Sequence, residues 1–258
     1  MPEKETPSPV ILITGAGKGI GRAVAEALAA RARGRAASGT GAAASGVKLL
    51  LAARTPSDLA ALQAALQGDG VDCAIAAGDL AERPLQPVEA CLERFGRIDA
   101  LIHCAGVGRF KDFLEQTPED LEFTVRTNIT ATFLLLQRAY AAMKAQAPGE
   151  DGMRGQIQVV TSIAADQPFP QSSTYCMSKY AQRGLLDVMK LYGRQDGIRI
   201  LEVRPGATYT PMWGEMPPDQ VARMMTAEDI AQPMVDALWL SPRAALEHIT
   251  LRPLHGDL

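Results

Sequence analysis

A chain of 258 residues, 47% of them hydrophobic, is long enough to bury a sizeable core, and α/β chains of this length are commonly one domain. Its formal charge of -3 argues against nucleic-acid or membrane-surface binding that rests on bulk charge. No apolar run approaches the length that spans a bilayer.

The opening stretch, residues 1–8, is polar, has no apolar signal-peptide core, and is expected to be a tail. Val10-Ile11-Leu12-Ile13 reads as a buried parallel strand. It breaks into Thr14-Gly15-Ala16-Gly17-Lys18-Gly19-Ile20-Gly21, followed by an alanine-rich helix from about Arg22. Glycines after a strand and before a helix let the backbone approach a pyrophosphate at the helix N-terminus. Residues 32–46 are Arg, Gly, Ala, Ser and Thr with little pattern, and a flexible loop is expected there. Val47 to Ala53 is a second strand, ending at Arg54. A dinucleotide fold often places an acid here to grip the ribose 2′-hydroxyl. Arg54 and Lys18 with no carboxylate suit a 2′-phosphate instead, pointing to NADP(H) over NAD(H); two solvated surface cations are the plain alternative.

Thr55-Pro56-Ser57-Asp58 opens the next helix, with proline at its first position. Further strands are expected at 71–77, 98–104, 156–162 and 198–203, ending near Asp79-Leu80, Ala105-Gly106, Ser162 and Pro205-Gly206. Thr117-Pro118-Glu119-Asp120 opens one long helix that contains Asn128. Strands separated by helices throughout predict a doubly wound parallel sheet of Rossmann type, helices on both faces, in a single domain spanning 1–258. Ligands of such sheets bind at the carboxyl ends of the strands, where these residues gather.

The run Thr174 to Tyr192 has helical periodicity, which puts Tyr175 and Lys179, four residues apart, on one face. A free phenol ionises near pH 10, and an adjacent cation favours its ionised form. Bringing it down to roughly 7 asks about 4 kcal/mol of the site. Cys73, Cys91, Cys104 and Cys176 show no C-x-x-C pair and no ligand spacing to the three histidines, so reduced thiols, a cytoplasmic location and no metal are expected.

The order and spacing of Thr14-Gly15-x-x-x-Gly19-x-Gly21, Asp79, Ala105-Gly106, Asn128, Ser162, Tyr175-x-x-x-Lys179 and Pro205-Gly206-x-x-x-Thr210 resemble the short-chain dehydrogenase/reductase family over essentially the whole chain. The resemblance implies that Tyr175 protonates a carbonyl oxygen, that Ser162 hydrogen-bonds it, and that Lys179 lowers the tyrosine pKa and holds the nicotinamide ribose. Asn128 would order a proton-supplying water chain. The implied cofactor contacts are Gly15, Gly17, Lys18, Gly19, Ile20 and Gly21 in the first turn; Arg54, Asp79 and Leu80 at the adenosine end; and Ala105, Gly106, Tyr175, Lys179, Pro205, Gly206, Thr208 and Thr210 beyond. The family usually has Asn-Asn before Ala-Gly, where this chain has His103-Cys104; a buried, hydrogen-bonded His103 is expected rather than a ligand or base.

Within the family the chain is most similar to the sepiapterin reductases, bacterial ones especially, through Tyr175-Cys176-Met177-Ser178-Lys179, Gln182-Arg183-Gly184-Leu185, Tyr209 to Gly214 and the tail Leu251-Arg252-Pro253 with Gly256-Asp257. That likeness implies a pterin ketone as substrate, anchored by Asp257 and faced by Phe110 and Trp213 beside Ser162, and a homodimer or homotetramer. A general ketone or 3-oxoacyl reductase is the second enzyme reading. A cofactor-sensing protein without turnover is the third, against which the intact Asn128, Ser162, Tyr175 and Lys179 argue.

Overall fold

A computed structural model describes residues 8–38, 46–68 and 70–257. Seven parallel strands form one sheet in the order β3-β2-β1-β4-β5-β6-β7. They are β1 (Val10–Thr14), β2 (Val47–Ala53), β3 (Val71–Ala77), β4 (Ala100–His103), β5 (Gly155–Val160), β6 (Ile198–Pro205) and β7 (His248–Leu251). Side chains alternate across a strand. Ile11 and Ile13 therefore join one core with α1 (Gly19–Ser38), α2 (Pro56–Leu66) and, later in the chain, the helix Ala227–Ala237. Val10 and Leu12 join the other, with α3 (Gln86–Phe95) and the helices Thr132–Ala145 and Ser173–Asp196. Both faces are covered, which is why the strands read as near-continuous apolar runs. Strand order reverses between β1 and β4, and the crevice at that switch is where such sheets hold ligands.

Three expectations are corrected. Residues 32–38 are the last turns of α1, not a loop, while 39–45 and the tail residues 1–7 lie outside the described residues. Alanine and arginine are strong helix formers. Ala32 is buried in the core, and Arg33 Nη2 donates to the carbonyls of Ala65 at 3.2 Å and Leu66 at 2.9 Å. Secondly, the long helix containing Asn128 is unbroken but not α-helical throughout. A capping box at Thr117 and Asp120 starts α4 (Pro118–Thr124), a π-helical stretch Val125–Ala131 follows, and α5 (Thr132–Ala145) resumes. Thirdly, β7 is a strand the pattern did not predict. It is a four-residue edge strand with alternating exposed and half-buried positions, and pairing with β6 holds it in place.

The remaining helices are α6 (Ser173–Asp196), α7 (Pro218–Val221) and α8 (Ala227–Ala237). No helix among the described residues is long and apolar enough to cross a membrane.

Candidate active site

A cleft of about 1000 Å³ lies over the carboxyl ends of the strands. Every site residue named from the sequence lines it except Asn128, which is fully buried behind its wall. The glycine-rich turn forms one side. Gly15 has φ +71, and a Cβ there would sit 2.7 Å from the Ala105 nitrogen. A Cβ on Gly21 would sit 2.4 Å from the Gly15 carbonyl oxygen. A side chain at either position would collide with packed backbone, so only glycine allows this tight turn, which brings bare backbone to the start of α1, whose first N–H groups lack helical partners and suit a diphosphate. Across the cleft stands Thr210, whose Cβ would lie 3.2 Å from a Cβ on Gly19.

At the adenosine end, Arg54 is exposed and Asp79 Oδ1 accepts from the Ala81 nitrogen at 2.9 Å. Lys18 Nζ is 3.4 Å from Asp58 Oδ2, so a carboxylate is present here after all. It arrives from the first turn of α2 rather than from the end of β2.

The other end holds the polar side chains. Lys179, 3% exposed, donates from Nζ to the Val160 carbonyl at 3.2 Å and to Gln182 Oε1 at 3.0 Å. Gln182 Nε2 donates to the Asn128 carbonyl at 2.8 Å and to Thr132 Oγ1 at 3.3 Å. The Asn128 side chain clamps the loop after β4: its Oδ1 accepts from the Val107 nitrogen at 2.9 Å and its Nδ2 donates to the Val107 carbonyl at 2.8 Å. Nδ2 also donates to Ser178 Oγ at 3.0 Å. Wider π turns recur at functional sites. In this one the Asn128 carbonyl takes a side-chain donor from another helix.

Burial raises the Tyr175 phenol above its ordinary value, a hydrogen bond with Ser162 pulls it down, and Cys176 adds a small push upward. The Lys179 ammonium lies 5.5 Å from the Tyr175 ring centroid, and burial lowers Lys179 itself to about 8. A buried phenol that keeps its proton is placed to give one up to a neighbouring oxygen. Ser162 Oγ accepts from the Ala164 nitrogen at 3.1 Å, which leaves its O–H available as a donor.

His103 is 1% exposed, with Nδ1 2.7 Å from Thr14 Oγ1 and Nε2 3.0 Å from Thr132 Oγ1. Burial, then the Lys179 charge, lowers it to about 3, so it is a neutral link between β1 and α5. No group of three or more His, Cys, Asp or Glu that could hold a metal occurs among the described residues.

Three aromatic rings form the mouth beyond Tyr175. The Phe110 ring meets Tyr175 edge-on at 5.3 Å and 60°, and lies nearly parallel to Trp213 at 6.3 Å and 9°. Phe169 joins at 6.1 Å from Phe110; its place between Pro168 and Pro170 was the available signal for it. The C-terminal tail folds back over the cleft. Asp257 Oδ1 accepts from the Ala207 nitrogen at 3.1 Å, and Oδ2 pairs with Arg252, whose Nη2 donates to Gln167 Oε1 at 2.7 Å. Gln167 was not singled out from the sequence, and Gln182 and Arg252 only as part of a likeness.

The family model of the short chain dehydrogenases matches residues 9–221. The chain belongs to the short-chain dehydrogenase family. It is 40% identical over 212 residues to a sepiapterin reductase of Chlorobaculum tepidum, covering 81% of this chain and 84% of that one. A 3-dehydrosphinganine reductase of Arabidopsis thaliana is 29% identical over 174 residues, 67% of this chain and 52% of that one. Among solved structures, an alcohol dehydrogenase from the archaeon Thermococcus sibiricus, complexed with 5-hydroxy-NADP, superposes with a TM-score of 0.81 at 27% identity, covering 97% of this chain and 99% of that one. By family this short-chain dehydrogenase is an oxidoreductase.

Proposed function

We propose that this short-chain dehydrogenase is an NADPH-dependent carbonyl reductase that reduces the side-chain ketone of a pterin. The observation that carries the pterin is the tail: Asp257 is brought to the cleft that Tyr175 lines, together with the flat faces of Phe110 and Trp213. A pterin presents its 2-amino group and a ring N–H side by side, a donor pair that matches one carboxylate. The 40% identity to a sepiapterin reductase supports the same reading.

NADPH, when bound, supplies the hydride. Tyr175 gives its proton to the ketone oxygen, and Ser162 donates a hydrogen bond to that oxygen and orients it. Lys179, still largely charged at pH 7 with a pKa of about 8, faces the nicotinamide ribose and favours the phenolate left behind. Asn128 holds the loop of Val107, which would lie against the bound cofactor, and through its carbonyl holds Gln182. With NADPH bound, Arg54 and Lys18 would hold the 2′-phosphate, Asp79 the adenine, and Thr210 the carboxamide.

One observation favours the general ketone reductase: both oxygens of Asp257 already have protein partners, Ala207 and Arg252. NADPH oxidation across sepiapterin, small diketones and acetoacetyl thioesters separates the two, with Asp257→Ala as the probe. Removing an anchor leaves two ring donors unpaired and costs roughly 1–3 kcal/mol of pterin binding. Reduction of a diketone stays nearly unchanged. Equal losses on both substrates, or none on sepiapterin, leave the general ketone reductase standing.

In the same reading the protein works in the cytoplasm as a dimer or tetramer. Met177, Tyr180, Val188 and Leu191 make an exposed apolar stripe along α6, and Phe133 is exposed on α5, a face suited to a second copy.

A further inference from the structure

We propose that Asp58 is a cofactor-specificity residue that restrains the preference for a 2′-phosphate and lets the protein take NADH as well as NADPH. The inference rests on the reading that this cleft holds a nicotinamide dinucleotide. Folds of this type set the choice at the end of the second strand, where a carboxylate accepts from the ribose 2′-hydroxyl or a cation meets the 2′-phosphate. Position 53 at that strand end is alanine, so from the local sequence the carboxylate is missing.

The fold returns it from α2. A Cβ built on Gly17 would lie 3.3 Å from Ala53 Cβ, 3.4 Å from Asp58 Cβ and 3.8 Å from Asp58 Oδ2. The carboxylate therefore sits against the glycine-rich turn, beside the strand end, and lines the same cleft as Lys18 and Arg54. Oδ2 is 3.4 Å from Lys18 Nζ, with the lysine side chain 61% exposed and the aspartate 28% exposed. An incoming phosphate must share Lys18 with Asp58 and accept a like charge nearby. A ribose hydroxyl meets no such repulsion and finds an acceptor. Arg54 remains free to pair with the phosphate, so the two cofactors are drawn together in affinity instead of one being excluded.

Asp58→Asn keeps the shape of the side chain and removes its charge. Asp58 is the third residue of α2, and the capping residue Thr55 makes no side-chain cap hydrogen bond, so the helix start does not depend on that carboxylate through Thr55. Dissociation constants for NADPH and NADH are read from nicotinamide fluorescence with the full chain at 50 mM and 500 mM salt. The same titration with adenosine 2′,5′-bisphosphate against adenosine 5′-monophosphate isolates the phosphate. Removing one charge at a partly exposed site is expected to tighten NADPH and the bisphosphate on the order of tenfold at low salt, and less at high salt. NADH affinity is expected to stay level or fall. Asp58→Ser, which also removes the charge, gives the same ratio change if either variant proves poorly folded. Unchanged or weakened NADPH binding in folded variants overturns the proposal, because Asp58 would then do no more than hold Lys18 in place. Failure of the unaltered protein to bind either dinucleotide overturns the underlying reading of the cleft instead.

Discussion

Gln182→Met tests how the buried ammonium of Lys179 is held. Gln182 is 3% exposed and accepts from Lys179 Nζ at 3.0 Å, while its amide nitrogen is fixed by the Asn128 carbonyl. Methionine keeps the length and loses all three side-chain hydrogen bonds of Gln182, leaving Lys179 only the Val160 carbonyl of its two acceptors. A hydrogen bond to a charged group is worth about 1.5–3 kcal/mol, and each pKa unit is worth about 1.4 kcal/mol. The bond stabilises the protonated form, so its loss lowers Lys179 from about 8 to roughly 6–7. Charge is then lost at lower pH, and the alkaline limb of kcat/KM for ketone reduction moves down by about 1–2 pH units. Gln182→Glu puts a carboxylate beside the ammonium and moves the limb upward. The assay is NADPH oxidation from pH 5.5 to 9.5, with cofactor affinity measured in parallel. A limb that stays put in both variants, or moves the same way in both, refutes the role given to Gln182.

Tyr175→Phe keeps the ring packed against Phe110 and removes the proton donor; turnover is expected to fall about 10²- to 10⁴-fold while NADPH binding and thermal stability stay near those of the unaltered protein. Near-normal rates would remove Tyr175 from the chemistry. His103 binds its proton near pH 3 in the folded chain and near 6.5 when unfolded, so it contributes stability that is present above 6.5 and lost as pH falls toward 3. By pH 4 that loss is about 3 kcal/mol. His103→Asn is expected to flatten the acid side of a urea-unfolding series by about that amount; an unchanged slope shows that other groups set it.

Much of the site could be read directly because its signals are short-range. Tyr175 and Lys179 fall on one face through helical spacing alone, and Val10-Ile11-Leu12-Ile13 followed by glycines marks a buried strand and a ligand turn in consecutive residues. The π turn at Asn128 gave no such sign, since the periodic pattern runs through it unbroken. What accompanies the widened backbone is a set of partners far along the chain, Val107 and Gln182. The helical state of 32–38 rests likewise on the grip of Arg33 on the end of α2, and β7 on its ladder with β6.

The succession of the first six strands, the glycine-rich turn and the spacing of Asn128, Ser162, Tyr175 and Lys179 were determined by the sequence itself, because period and spacing act over a few residues. Only the tertiary structure decided that Asp58 stands beside Lys18, forty residues away, and that Asp257 meets Ala207 across the cleft. It also decided the charges. Lys179 sits near 8, His103 near 3 and the Tyr175 phenol above its ordinary value because packing around them removes water, and desolvation has no counterpart in the order of residues along a chain.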